Sequence, residues 1–182
     1  MQRRQFIQKS ALITATTAVP FFNKISNFNV DKLRVGVIGC KGMGWSNTNS
    51  ILKVDDVDLV AICDVDQNVV DVRMTEYATN RDNKVSNYGD YRQLLADKNV
   101  DALIIGTPDH WHCKIFCDAL EAGKHVYCEK PLSNSIEEAY VMRRAAAKYP
   151  NLMVHIGQWQ RSGPHYAEAI DIVRSGDLEM LG

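Results

Sequence analysis

From Leu33 onward, short and nearly unbroken apolar runs alternate with longer stretches whose apolar residues recur every three or four positions. The runs "LRVGVIG", "VDLVAICD", "KVSNYG", "VDALIIGTP", "HVYCEKP" and "NLMVHIG" have strand length. Between them, "GWSNTNSILKV" (opening at Gly44), "QNVVDVRMTEYATN", "DYRQLLAD", "HWHCKIFCDALEAG" and "SIEEAYVMRRAAAKY" read as helices. Gly123 falls where the fourth helix should turn left-handed and stop, and Ser135 and Glu138 have capping-box spacing. Strands without a polar face need cover on both sides, which calls for a parallel sheet between two helical layers. Right-handed crossovers leave few topologies, and a doubly wound, dinucleotide-binding sheet leads them. The predicted class is α/β.

The pattern changes at both ends. "MQRRQFIQKSALITATTAVPFF" opens basic, with paired Arg3 and Arg4, and continues into an apolar run broken by Thr14, Thr16, Thr17 and Pro20. The run is too short and too polar to span a bilayer as a helix. Residues 1–30 therefore predict a twin-arginine (Tat) export signal with a polar linker, and a periplasmic or otherwise exported protein. A simple N-terminal tail is the alternative. Residues 31–157 form the predicted nucleotide-binding domain. Residues 158–182, with one helix near His165 to Ser175, read as the crossing into a second α+β domain and its first helix.

Composition narrows the partners. The chain has 182 residues, a formal net charge of -1, 46% hydrophobic and 24% charged residues, so it shows no electrostatic footprint for nucleic acid or an anionic membrane. A small-molecule partner is expected. The five cysteines form no C-x-x-C pair and are expected as free thiols. His110 and His112 beside Cys113 and Cys117 raise a metal site. The two cysteines, however, lie one turn apart on the apolar side of a helix, and a closed zinc site needs four convergent ligands. No metal is expected.

Chemistry gathers at the predicted strand ends. "GVIGCKGMG" approximates the G-x-G-x-x-G fingerprint, with Gly39 and Gly44 as its ends, Lys41 at its middle position and Gly42 and Met43 within the loop. Backbone N–H groups opening the following helix can hold a pyrophosphate. Lys41 would either crowd that phosphate or turn outward and neutralise it. Asp64 closes the second strand, where an acid can accept the adenosine ribose hydroxyls; a carboxylate repels a 2′-phosphate, so NAD is favoured over NADP. In "GTPDHWH", Thr107 and Pro108 end the fourth strand. In "EKP", Pro131 ends the fifth, leaving Lys130 at the ligand edge as a candidate proton acceptor and Glu129 to hold it. A surface ion pair capping a turn is the plainer alternative for those two.

Taken in order and spacing, "GVIGCKGMG", "AICDVD", "IIGTPDHWH", "AGKHVYCEKPL" and "GQWQR" closely resemble the N-terminal half of the Gfo/Idh/MocA oxidoreductases, over about residues 33 to 182. The resemblance implies a Rossmann domain and NAD(P)-dependent hydride transfer on a sugar, cyclitol or related polyol. It assigns Gly39, Gly42 and Gly44, with Lys41 and Met43 between them, to the cofactor loop and Asp64 to the ribose. Thr107, Pro108 and His112 would line the cofactor cleft. Glu129 and Lys130 would sit by the nicotinamide, with Lys130 in the proton relay, and Gln158 to Arg161 would cross toward the second domain, Arg161 reaching the cofactor. The family's second domain supplies much of the substrate pocket and the usual oligomer surface, so a homo-oligomer is expected only where that domain is present. The chain is expected to be a fragment or a truncated product. Two further readings stay open: an NAD-dependent glycoside hydrolase or lyase that oxidises its sugar transiently, and an inactive nucleotide-binding module.

Overall fold

The computed structural model describes residues 32–79 and 84–176, apart from the side chains of Arg161 and Ser162. The predicted export signal and its linker lie outside the described residues. Six strands form one parallel sheet: β1 (Leu33–Ile38), β2 (Val57–Cys63), β3 (Ser86–Tyr88), β4 (Ala102–Ile105), β5 (His125–Cys128) and β6 (Val154–Ile156). Their order is β3-β2-β1-β4-β5-β6. The chain thus starts in the middle, winds outward to β3, returns across β1 and winds outward the other way. This is the doubly wound arrangement that the apolar runs predict.

Both faces are covered. α1 (Gly42–Ile51) and α2 (Gln67–Ala78) pack on one face through Trp45, Val70 and Tyr77, against Val35, Val37, Leu59, Ile62 and Ile104 of the strands. α3 (Tyr91–Ala96), α4 (His112–Glu121) and α5 (Ile136–Lys148) cover the other. There Leu94, Ile115, Phe116, Leu120 and Met142 meet Ile38, Leu103, Ile105 and Val126. Successive residues such as Val37 and Ile38, or Ile104 and Ile105, fall into opposite clusters, because neighbouring side chains in a strand point to opposite faces. One irregularity interrupts the ladder: the β1–β2 register shifts between Val35 and Gly36, passing over Val60.

Helix starts follow their capping residues. Asp66, Asp90 and Ser135 accept from the main-chain N–H of Asn68, Arg92 and Glu138, satisfying donors that the first turn leaves open. The capping box at α5 is offset by one residue, since the Glu138 carboxylate takes the N–H of Asn134 rather than that of Ser135. Two starts differ from the sequence expectation. α1 opens at Gly42, two residues early, with Lys41 as a cap whose side chain makes no capping bond. α4 opens at His112, because Trp111 N–H closes back onto the Pro108 carbonyl at 3.0 Å and makes Asp109–Trp111 a 3-10 turn.

At the amino edge of the sheet, the Arg34 guanidinium holds the Asp101 carboxylate through two bonds of 2.9 and 2.7 Å, pinning β1 to the start of β4. Lys124 is buried beside them and donates to the carbonyls of Asp97 and Val100 at 2.8 and 2.7 Å. Burial pushes its ammonium pKa down. After β6 come a 3-10 turn (Trp159–Ser162) and α6 (Pro164–Ser175), which has no buried residue.

Candidate functional site

The strand order reverses between β1 and β4, and in such sheets the crevice beyond those two carboxyl ends is where ligands bind. The residues that follow β1, β4, β5 and β6 are each fastened to the strand beside them. Gly39 N–H bonds to the Cys63 carbonyl at 2.9 Å, Gly106 to Ile38 at 2.8 Å, Glu129 to Ile105 at 2.9 Å and Gly157 to Cys128 at 2.7 Å. The site residues are therefore the last rung of the ladder.

Three glycines make the crevice floor. A Cβ on Gly39, whose φ is 86°, would stand 2.7 Å from the Gly106 carbonyl carbon and from Thr107 N. A Cβ on Gly44 would fall onto the Gly39 carbonyl, and one on Gly106 onto the Gly44 backbone. The start of α1 thus sits directly on the ends of β1 and β4, a packing that only glycine permits. Gly42, with φ 43°, turns the loop in open space, and Met43 beside it is exposed.

Asp64 lies beside this floor, half-buried. Its carboxylate accepts from Cys40 N–H at 2.8 Å and from Asp66 N–H at 3.1 Å, so the group is fixed by both loops that flank it. A carboxylate offers about four acceptor sites, which leaves capacity for a vicinal diol. Lys41 turns outward to Asp66, 3.0 Å away, and that bond holds the Asp66 carboxyl below the usual carboxylate range. Of the two orientations open to Lys41, the structure shows the outward one.

Glu129 is 4% exposed and gathers donors from three elements. Asn47 Nδ2 of α1 reaches its Oε1 at 2.7 Å, the Lys130 main-chain N–H reaches Oε2 at 3.0 Å, and Tyr127 OH lies 3.5 Å from Oε1. Burial, followed by the nearby Glu129 charge, raises the Tyr127 phenol pKa. Gly157 closes the pocket, where a Cβ would come within 2.6 Å of Oε1. Glu129 therefore holds Lys130 by its backbone, and the plainer alternative of a surface ion pair is not what the structure contains. Lys130 itself is exposed, and its ammonium has no partner among the described residues; the peptide to Pro131 is cis.

Pro108 is exposed, whereas Thr107 Oγ1 is buried without a hydrogen-bond partner among the described residues. His112 is buried, with Nδ1 2.7 Å from the Pro131 carbonyl and Nε2 2.9 Å from the Thr107 carbonyl. Its polar atoms are thus turned into the protein. Arg161 belongs to the turn after β6, and its side chain lies outside the described residues. Asn47, Gly106 and Gly157 join the site without having been singled out from the sequence. Gly106, directly after an apolar run, carried a readable signal. Asn47 carried none, since its partner is distant in sequence.

A doubly wound sheet with a glycine floor at its reversal point and a fixed acid on the adjoining strand defines a dinucleotide-binding domain. Residues 33–158 match the Gfo/Idh/MocA family, described as an oxidoreductase family with an NAD-binding Rossmann fold, and the chain belongs to that family. It is similar to a glycosyl hydrolase family 109 protein of Shewanella sp. (strain W3-18-1), with 36% identity over 115 residues, 61% of this chain and 25% of the relative. The structure resembles that of myo-inositol 2-dehydrogenase from Lactobacillus plantarum, with a TM-score of 0.72 and 29% identity over 81% of this chain and 42% of that one. It also resembles scyllo-inositol dehydrogenase from Lactobacillus casei solved with NAD(H) and scyllo-inositol, with a TM-score of 0.71 and 26% identity over 81% and 42% of the two chains. The chain therefore spans less than half the length of these relatives.

The residues present fit NAD. The glycine floor leaves room for a backbone-hugging pyrophosphate, Thr107 holds an unused hydroxyl at the same edge, and Asp64 is fixed where a ribose diol would sit.

Proposed function

We propose that this chain is the cofactor-binding part of an NAD-dependent oxidoreductase that acts on a sugar, a cyclitol or a related polyol by hydride transfer. The observation that carries the proposal is the pairing, on one sheet edge, of the Gly39–Gly44–Gly106 floor with the fixed Asp64 carboxylate. NAD, when bound, supplies the hydride acceptor. Gly39, Gly42 and Gly44 let the backbone approach the pyrophosphate, and Asp64 receives the ribose hydroxyls and turns away a 2′-phosphate. The exposed Lys130, whose ammonium has no partner among the described residues, takes the proton of the hydroxyl being oxidised at Nζ, while Glu129 fixes the Lys130 main chain. The substrate-side residues of that activity are sought in the part of the relatives' length that this chain does not span.

The test is a fluorescence titration with NADH. Saturable binding is expected, weakened at least tenfold, or by about 1.4 kcal/mol, in Asp64→Ala. A wild-type chain that folds and gives no saturable signal overturns the reading.

Similarity to the family 109 glycosyl hydrolase favours a second reading, in which the same edge oxidises a sugar transiently and the glycosidic bond is then broken. The same Lys130 and Asp64 serve both. Glycoside cleavage by the whole protein with no net NADH formation would select it. The N-terminal segment adds a proposal about place. Arg3 and Arg4 before an interrupted apolar run support export through the twin-arginine route, with cofactor taken up before export. Cell fractionation of the wild type and of an Arg3→Lys, Arg4→Lys variant tests it, and equal distribution of the two would end it.

A further inference from the structure

His112 is 1% exposed, yet neither ring nitrogen faces a group of its own helix. Nε2 meets the carbonyl of Thr107, in the loop after β4, at 2.9 Å. Nδ1 meets the carbonyl of Pro131, in the loop after β5, at 2.7 Å. These two loops carry the candidate cofactor hydroxyl, Thr107, and the candidate proton acceptor, Lys130. Below them, the strands are joined by Glu129 N–H to the Ile105 carbonyl. Above that rung, the imidazole stands between the two loops, with one ring nitrogen against a carbonyl of each.

The residue type is specific to this task. A phenyl ring of similar size would fill the space but donate to neither carbonyl, and an unsatisfied buried carbonyl is costly. A neutral imidazole donates to one of the two carbonyls at a time, whereas an imidazolium donates to both. An amide side chain carries donors on one nitrogen only, its oxygen being an acceptor, so it can serve one of the two carbonyls.

We propose that His112 is a positioning residue: it sets the separation of the Thr107 loop from the Lys130 loop, and thereby places the proton acceptor against the cofactor seat. The inference rests on the dinucleotide reading above and adds to it a residue that touches neither cofactor nor substrate.

The test uses the whole chain with NADH. Two quantities are read: the dissociation constant, and the rate at which an amine-acylating reagent modifies Lys130 with and without NADH, followed by peptide mass spectrometry. In the wild type, NADH is expected to slow Lys130 acylation several-fold. His112→Phe, checked for a cooperative melt, is expected to bind NADH about tenfold more weakly, matching the loss of about 1.4 kcal/mol. Under saturating NADH it should also lose most of the Lys130 protection. His112→Gln, which keeps one donor, should recover part of both. A role confined to stability would lower the melting temperature and leave both readouts of the folded chain unchanged, and that result overturns the proposal. If His112→Phe does not fold, His112→Ala is assayed with and without added imidazole. Restored protection supports the proposal, and unrestored protection in a folded variant overturns it. A wild-type chain that binds no NADH instead removes the dinucleotide reading itself, so the two failures are distinguishable.

Discussion

Asn47 and Glu129 stand 82 residues apart in the sequence, and the Asn47 amide donates to the Glu129 carboxylate at 2.7 Å. One belongs to the helix that would receive the pyrophosphate, the other to the strand end that would carry the chemistry. Their bond makes the two halves of the site a single unit.

Asn47→Leu removes a donor from a buried carboxylate. Leaving such a group short of a partner costs about 1–3 kcal/mol, so the urea midpoint should fall accordingly. Asn47→Asp should fall further, because it sets a second carboxylate against the first. Equal midpoints for all three proteins would show that Glu129 does not depend on this bond.

Gly157→Ala tests the same pocket from the other side. The added methyl would stand 2.6 Å from Glu129 Oε1 and 2.8 Å from Tyr127 OH, closer than ordinary contact. Overpacking of this kind costs about 1–3 kcal/mol. The expected result is a lower melting temperature together with weaker NADH binding, since the carboxylate must give way and Lys130 moves with it. Calorimetry and the NADH titration read the two effects separately.

The sheet could be read from the sequence because its strands are buried on both faces, so each run announces itself without help from its neighbours. The glycine loop, Asp64 and the "EKP" edge were legible for a related reason: each depends on backbone geometry within a few residues. The contacts that assemble the site were not. Asn47 looks like any polar position on a short helix, and Glu129 looks like an exposed acid until α1 and Gly157 close over it. His112 reads as a cleft residue, but the direction of its ring depends on the carbonyls of two loops that the sequence does not place. Lys41 could turn either way on its local sequence, and Asp66, 25 residues on, decides it.

Alkaline pH should destabilise the chain through its thiols. Burial, then neighbouring carboxylates, pushes Cys40, Cys63 and Cys128 up from 9.0 to about 12. A pKa raised on folding means that the folded chain holds the proton where the unfolded chain releases it. The stabilisation is whole below pH 9 and is lost as pH rises toward 12, at about 1.4 kcal/mol per unit for each thiol. Urea titrations between pH 8 and 10.5 should show a falling midpoint, shallower in Cys63→Ser. The native thiols should react slowly with a disulfide reagent at pH 8 and become reactive on unfolding.

Acid acts at the opposite edge. The hydrogen bonds from Arg34 hold the Asp101 carboxyl below its ordinary value. A depressed carboxylate stabilises the fold above the normal Asp range, and that contribution disappears as pH falls through the lowered value. Both side chains are more than a third exposed (40% and 35%), so solvent screening keeps the contribution within about 1 kcal/mol. Arg34→Leu should therefore raise the midpoint of acid unfolding slightly while leaving stability below the lowered Asp101 value little changed. Circular dichroism across that range decides it.

The fastening of Gly39, Gly106, Glu129 and Gly157 to neighbouring strands has a consequence for divergence. Since Gly157 is fastened to β5 and closes over Glu129, the segment beyond it can lengthen, shorten or change composition without disturbing the nucleotide seat. A domain built this way can be joined to different partner domains over evolutionary time while its nucleotide seat is kept.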